Sequence, residues 1–284
     1  MIHYLCDTSW LLYRGYYSCS KIWEEYPEIH FLCKKIEQLL ARKDAIVHLA
    51  LDGRNTKGRR LLGEAYKGNR CRDGERSVYE ALSSFVRLIH NDRINIYYNM
   101  NYESDEILFT LSHTLDGRKK ILSGDKDIFQ ALKPDTVIDN GSDRVVTEES
   151  YKFEYADKFF EIDPIRLPVY RAIVGDASDT LRPPVPRFPH KLAAAIAHSV
   201  SYDGECPTID QLRSVSKDFS DSEKKWVEKL VAAHQSFSVN FDIMKLNVID
   251  DDLTTNINDD YYSTYQLVKL SDFLKSKIER LNTL

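Results

Sequence analysis

The amino-acid sequence predicts an α/β fold: a mostly parallel central sheet flanked by helices, followed by a helical C-terminal region. Three observations carry this prediction. Short runs rich in β-branched and aromatic residues recur at 2–6, 45–51, 94–98, 119–123 and 136–139, which is the composition of strands. Segments of helical periodicity separate them, and strands that alternate with helices assemble into a parallel sheet covered on both faces. Past about residue 163 the strand-like runs stop, so we divide the chain into an α/β unit at 1–162 and a helical unit at 163–284. With 284 residues, 43% of them hydrophobic, the chain is long enough for a core plus a smaller helical unit.

IHYLC (2–6) opens the sheet. After it, Ile29, Leu32, Cys33, Ile36, Leu39 and Leu40 follow the i, i+3, i+4, i+7 spacing of one helix face. AIVHLAL (45–51) is the second strand. It leads into a basic island, where Arg54, Lys57, Arg59, Arg60, Lys67, Arg70 and Arg72 stand against the single acid Glu64. Taken alone, such a charge run reads as the solvated face of a helix. INIYY (94–98) is the third strand, followed by a helix with the face Ile107, Leu108, Leu111 and Leu115; KKILS (119–123) and TVID (136–139) complete the sheet. Beyond them DPIRLPVYRAIVGD, HKLAAAIAHSV, SDSEKKWVEKLVAAHQSF and LSDFLKSKIERL read as helices joined by polar or proline-rich loops. There is no internal repeat or low-complexity tract, and DDLTTNINDDYY (251–262), the most acidic stretch, reads as an exposed connection.

Bulk properties exclude several classes. A net charge of −5 argues against a general polyanion binder and shifts the weight to where the charges sit. Cys6, Cys19, Cys33, Cys71 and Cys206 form an odd set with no CxxC pair and no zinc-spaced histidine, as expected of reduced thiols. No apolar window approaches the roughly 20 residues that cross a bilayer, and no basic leader precedes the first strand. The expectation is a soluble, cytoplasmic protein with no membrane partner. His3, His30, His48, His113 and His234 read as ordinary core or surface residues.

The chemistry lies in the acids. Asp7 follows the first strand, Asp52 the second and Asp125 with Asp127 the fourth, while Glu103, Asp105 and Glu106 open the helix after the third. In an open parallel sheet, ligands gather beyond the carboxyl ends of the strands. Asp176 and Asp179 in VGDASD close a helix of the second unit and are expected to reach the same edge. Singly, each aspartate reads as a helix cap or turn residue. Jointly, carboxylates at successive strand ends repel by several kcal/mol unless cations sit among them. Oxygen ligands with no His or Cys among them indicate Mg²⁺, with Mn²⁺ as substitute, rather than zinc. Two such ions about 4 Å apart suit phosphodiester hydrolysis. Asp125 is the expected bridging, catalytic carboxylate.

In order and spacing, LCDTSWLLYRGYY, ALDGRNTKGRR with EAYKGNR, YESDEI, SGDKDIFQAL and VGDASD resemble the 5′ nuclease superfamily, which contains flap endonucleases and the 5′ exonuclease domain of bacterial DNA polymerase I. Size and the helical C-terminal part look most like its bacteriophage members, such as the RNase H of T-even phages. The resemblance implies a PIN-like catalytic domain at 1–162 with a helical arch near 57–78, and a DNA-binding domain at 163–284 with a helix-three-turn-helix-type region. It implies that Asp7, Asp52, Glu103, Asp105, Glu106 and Asp125 form a first metal site, Glu106 replacing the family's usual aspartate, and that Asp127, Asp176 and Asp179 form a second. It sets Lys67 and Arg70 in the arch as catalytic groups that neutralise the reacting phosphate, with Tyr66 stacking on a base. Arg14, Arg59, Arg60, Arg182, Arg187 and Lys191 are the further residues expected on nucleic acid. A solvated face remains the plain reading for Arg54, Lys57 and Arg72.

The match weakens after GDxSD. Where the family carries a glycine-rich turn whose amides meet a duplex phosphate and whose carbonyls hold K⁺, this chain reads TLRPPVPRFPHKLAAAI, with Pro184, Arg187 and Pro189 near the expected glycines. Proline removes an N–H and the freedom of positive φ is lost with glycine. That speaks against K⁺ binding and leaves Arg182, Arg187, His190 and Lys191 to hold phosphate by charge.

The implied activity is that of a 5′–3′ exonuclease and flap endonuclease, with RNase H activity on RNA:DNA hybrids, acting on branched or nicked DNA in primer removal and repair. A monomer is expected, in the host cytoplasm if the gene is a phage's. A single-strand binding protein or a sliding clamp is the candidate protein partner, with LSDFLKSKIERL the segment in question. Two rival readings are a PIN-like ribonuclease, which would lack the GDxSD pair and the arch segment, and a catalytically silent, structure-specific DNA-binding protein.

Overall fold

Five strands, β1 (Ile2–Asp7), β2 (Ala45–Leu51), β3 (Ile94–Tyr98), β4 (Arg118–Leu122) and β5 (Thr136–Asp139), pair in the order β3-β2-β1-β4-β5. All four pairings are parallel, so the sheet is more uniform than the sequence required. The structure, a computed structural model, describes residues 1–22, 25–68, 75–142, 145–151, 162–251, 253 and 268–284, with 75–77 by backbone alone. Arg70, Cys71, Arg72 and most of the acidic connection 251–262 therefore lie outside the described residues.

Strand order fixes where a site can form. The chain leaves β1 for β2 and then β3 on one side, and returns to the other side of β1 for β4 and β5. Connections diverge between β1 and β4, which opens a crevice at their carboxyl ends. Asp7 ends β1, and the Ser123–Asp127 turn leaves β4 on the other lip of that crevice.

Eleven helices are named among the described residues: α1 (Thr8–Cys19), α2 (Pro27–Leu40), α3 (Lys57–Leu62), α4 (Glu75–Leu88), α5 (Ser104–Thr114), α6 (Leu167–Val174), α7 (His190–Ser199), α8 (Ile209–Val215), α9 (Asp221–Ala232), α10 (His234–Met244) and α11 (Asp272–Leu281). The face predicted for α2, Ile29 through Leu40, is buried throughout, as are Ile107, Leu108 and Leu111 of α5. One core joins α1, α2, α4 and α11 to one face of the sheet. The other joins α5 to the opposite face and runs on without a break through Leu167, Ile173, Leu192, Leu230 and Phe241 of the helical half. At roughly 1.5–3 kcal/mol per fully buried aliphatic or aromatic side chain, this shared core ties the helical half to the sheet's edge.

Three details depart from the sequence reading. The long helix expected over 220–237 is broken at Ala233 (φ −101°, ψ 20°) into α9 and α10. α8 was not foreseen, although its capping box is legible: Thr208 Oγ1 accepts from Gln211 N at 3.2 Å and Gln211 Oε1 accepts from Thr208 N at 2.8 Å. The apolar face of the C-terminal helix is also already covered. Leu274, Ile278 and Leu281 of α11 recur on one helical face and are buried in the core with α2 and α4. That face is not open to a clamp or single-strand binding protein.

His3 and His48 are core residues, as expected, but they are linked. His3 Nδ1 lies 2.9 Å from His48 Nε2, and His48 Nδ1 lies 3.1 Å from the Tyr97 hydroxyl, a chain of polar groups across β1, β2 and β3. Burial pulls His48 down to about 3 and lowers His3 as well, which favours the neutral imidazole at both positions. No helix among the described residues is long and apolar enough to cross a membrane. Cys6, Cys19, Cys33 and Cys206 are free thiols, and burial pushes Cys6 and Cys33 up to about 12.

Candidate metal centre and nucleic-acid interface

Asp7 is buried at the end of β1, where three elements meet it. Its Oδ1 accepts from the Trp10 amide at 3.0 Å, which starts α1, and from Ser104 Oγ at 3.4 Å. Its Oδ2 accepts from Ser123 Oγ at 2.8 Å, beyond β4. The capping role and the site role thus coincide in one carboxylate. Asp52, after β2, accepts from Ser9 Oγ at 2.5 Å and from the Ser104 amide at 2.8 Å. Ser9, Ser104 and Ser123 were not singled out from the sequence; each carries no charge and is defined only by the aspartate it positions. Asp125 accepts from the Asp127 amide at 2.8 Å and donates its own amide to Ser123 Oγ at 3.2 Å. The four strand ends do converge.

Electrostatics record how tightly. Burial, then the charges of Asp52 and Asp125, push the Asp7 carboxyl up to about 7 against the hydrogen bonds from Trp10 and Ser123. Asp105 is held well above the usual carboxylate range by burial and by Glu103, Asp125 and Glu106. Such crowding has no structural benefit by itself.

The second group lies next to the first. Asp127, Asp176 and Asp179 each bring a carboxylate oxygen within 4.8 Å of one another. Burial, with Asp125 and Asp179 adding to it and Arg171 opposing, pushes Asp127 up to about 7. A turn holds Asp176: Ser178 donates its amide and hydroxyl to Asp176 Oδ1 at 2.8 and 2.6 Å. Gly175 reverses the chain before it, at φ 75°, and a Cβ there would stand 2.6 Å from the Leu181 carbonyl. Arg171, which the sequence did not single out, pairs with both Asp127 and Asp176.

The arch segment enters between the two groups. Lys67 Nζ lies 2.9 Å from both oxygens of Glu103, and the Lys67 amide donates to the Asp179 carbonyl at 3.1 Å. Burial pulls the ammonium down, but Glu103, Tyr66, Asp179 and Asp105 outweigh it and hold Lys67 firmly charged. Its backbone is in the left-handed region, φ 54°, a strain of roughly 1–2 kcal/mol in a residue with a Cβ. Arg70 lies outside the described residues.

Two expectations for the island are corrected. Tyr66 is not a free stacking platform: it is 3% exposed, packs with Leu181, Ile243 and Met244, and donates its hydroxyl to Glu103 Oε2 at 3.0 Å. Lys57 is not on a solvated face: its Nζ lies 3.3 Å from Glu106 Oε1 and donates to the Lys245 carbonyl. Glu106 Oε2 accepts from the Glu103 amide at 3.1 Å, so both oxygens of Glu106 are engaged within the protein. Arg59 is half-buried, and Arg60, which is exposed, donates to the Asn55 carbonyl at 2.6 Å.

Gly58 explains how Tyr66 fits. A Cβ on Gly58 would stand 2.5 Å from the Tyr66 ring. Gly58→Ala is therefore expected to displace the ring, break its bond to Glu103 and lower the single-turnover cleavage rate about tenfold. An unchanged rate together with a raised melting temperature would show that Tyr66 has no positioning role.

Toward the helical half, Arg182, Arg187 and Lys191 are exposed, and Arg14 is exposed on α1, its guanidinium 5.2 Å from the Trp10 ring centroid. The expectation that loss of glycine removes positive φ from this loop is corrected. Thr180 and Arg187 adopt φ 64° and 59°. The Arg182 carbonyl accepts from Asn240 Nδ2 at 2.9 Å, a contact from α10 that braces the loop.

Whether these residues suit divalent cations is answered by Asp127. Its Oδ1 is buried and receives no hydrogen bond; Arg171 Nε stands 3.2 Å away without hydrogen-bond geometry. A buried carboxylate oxygen left in this state, among acids and without His or Cys, fits a hard cation. Among the described residues the oxygens of Asp127, Asp176 and Asp179 lie close enough together to hold one ion, while Asp7, Asp52, Asp105 and Asp125 line the strand ends beside them and Glu103 is engaged by Lys67 and Tyr66. Bound there, divalent ions would activate the attacking water and neutralise the charge on a phosphodiester.

Residues 3–158 match the family model described as the 5′-3′ exonuclease, N-terminal resolvase-like domain. DNA polymerase I of Bacillus caldotenax is 23% identical over 218 residues, which is 74% of this chain but 25% of that protein. This chain thus spans about a quarter of that relative's length. Among solved structures, the T5 D15 protein co-crystallised with metal ions superposes with a TM-score of 0.64 at 14% identity, covering 99% of both chains. The bacteriophage T5 D15 flap endonuclease, in a complex with DNA and metal ions, gives 0.61 at 14% identity over 100% of both. At that identity the likeness is one of fold, and it extends over the helical half as well as the sheet.

Proposed function

The chain belongs to the 5′–3′ exonuclease family, and on that premise we propose that it is a Mg²⁺-dependent 5′ nuclease that cleaves flaps and nicked or gapped duplexes. Mn²⁺ would substitute for Mg²⁺. Its substrates would include RNA:DNA hybrids, which gives it a place in primer removal during replication, acting as a monomer in the cytoplasm.

The observation that carries the reading is the meeting of acids from β1, β2, α5, the β4 turn and the end of α6 beside a charged Lys67. A phosphodiester entering there would find the negative pocket acceptable only with cations already bound. Lys67, charged and paired to Glu103, would turn to the scissile phosphate when that phosphate competes for it. Exposed Arg14, Arg182, Arg187 and Lys191 would hold phosphates away from the chemistry, with selectivity set by the shape of the junction rather than by base edges.

One assay separates this from its rivals. A 5′-labelled flap, an RNA:DNA hybrid and a hairpin RNA are each incubated with protein in Mg²⁺ or EDTA. Metal-dependent release of short 5′ products from the flap is the expected result. Cutting of the hairpin alone would favour a PIN-like ribonuclease, and binding without cutting a silent DNA-binding protein.

A further inference from the structure

α6 carries a cation into the second group of acids. Arg171 is 9% exposed, the only basic residue of an otherwise apolar helix, LPVYRAIV. Its Nε stands 3.2 Å from Asp127 Oδ1, and its Nη2 pairs with Asp176 Oδ2. The other oxygen of Asp176 is taken by the amide and hydroxyl of Ser178. Each Asp176 oxygen thus already has a partner, and a cation binding there competes with Arg171 on one oxygen or shares the other with Ser178. The planar guanidinium reaches two carboxylates at once, which a lysine at the same place does not.

A buried guanidinium and a divalent ion are alternative solutions to the same electrostatic problem. Without either, Asp127, Asp176 and Asp179, whose oxygens lie within 4.8 Å of one another, would repel in a largely buried pocket. Resting on the reading of these acids as ion ligands, we propose that Arg171 is the resident counter-cation of the second group, a positioning residue that bridges Asp127 and Asp176 until an ion displaces part of that bridge. The second ion then binds against a competitor built into the fold. Among the described residues no such guanidinium bridge joins Asp7, Asp105 or Asp125 of the first group, so the two sites differ in what an ion must displace.

The test is Mn²⁺ binding to the full chain without nucleic acid, followed by the spin-resonance signal of free Mn²⁺, together with melting in EDTA and in Mn²⁺. In Arg171→Gln the second Mn²⁺ is expected to bind at least tenfold more tightly than in the unaltered protein, with the first unchanged. The variant should melt lower in EDTA and regain that loss in Mn²⁺. Arg171→Lys, which keeps the charge but spans one carboxylate, is expected to shift the second affinity in the same direction by a smaller factor, and it carries the test if the glutamine variant does not fold. Unaltered affinity for the second Mn²⁺ in the folded variants overturns the proposal while leaving the metal reading standing. Absence of Mn²⁺ binding in the unaltered protein overturns both.

Discussion

Asp125→Ala is expected to lower cleavage of a 5′ flap by at least about 10³-fold while leaving affinity for the duplex intact or raised. The size follows from position. Asp125 stands between the two acid groups: its Oδ1 accepts from the Asp127 amide at 2.8 Å, its charge adds to that on Asp7, and Asp105 feels it as well. On the proposed reading, removing it would take a ligand from one ion and free the turn whose Asp127 amide it holds. Binding should not suffer, because the exposed Arg14, Arg182, Arg187 and Lys191 lie elsewhere and one negative charge near the phosphate path is lost. The decisive measurement is a single-turnover rate at saturating protein beside a binding isotherm in Ca²⁺. Parallel loss of rate and affinity would mean that the carboxylate supports the fold or the interface rather than the chemistry.

Legibility of the site in the sequence followed the range of the interactions. Strands that are buried on both faces appear as short continuous β-branched runs, and all five were visible within a residue of their ends. Each acid of the first group directly follows a strand or opens the helix after one, so local position was enough to align them on one edge. Arg171 gave no comparable signal. An arginine in LPVYRAIV reads as an interruption of an apolar face, and its role exists only because Asp127, from the β4 turn, is brought beside the end of α6. Tyr66 was misread for the same reason: Leu181, Ile243 and Met244, which bury it, come from the other half of the chain. In the turn after GDxSD, composition suggested that the backbone conformation was lost, whereas Thr180 and Arg187 keep positive φ because tertiary contacts such as Asn240 to the Arg182 carbonyl offset a local cost of roughly 1–3 kcal/mol.

Thermal stability should depend on divalent ions, and increasingly so as pH rises. Asp7 and Asp127 are each pushed up to about 7, burial first and neighbouring carboxylates second, and Asp105 lies well above its usual range. Between the ordinary carboxylate value and about 7 the folded chain therefore holds protons on these acids that the unfolded chain has released. More protons on the folded state means that stability falls as pH rises through that window. His48, drawn down to about 3, works in the opposite sense: the unfolded imidazole takes up a proton below about 6.5, which costs stability as pH falls. The net pH profile is thus a difference of two trends. The increment from metal isolates one of them, because the His3–His48–Tyr97 chain contains no carboxylate to hold an ion. Ions replace the missing protons only where the acids are ionised, so Mg²⁺ or Mn²⁺ should raise the melting temperature by about 5 °C or more near pH 8 and by little near pH 5. Equal increments at the two pH values, or none at either, would show that the carboxylates do not share their charge with bound cations.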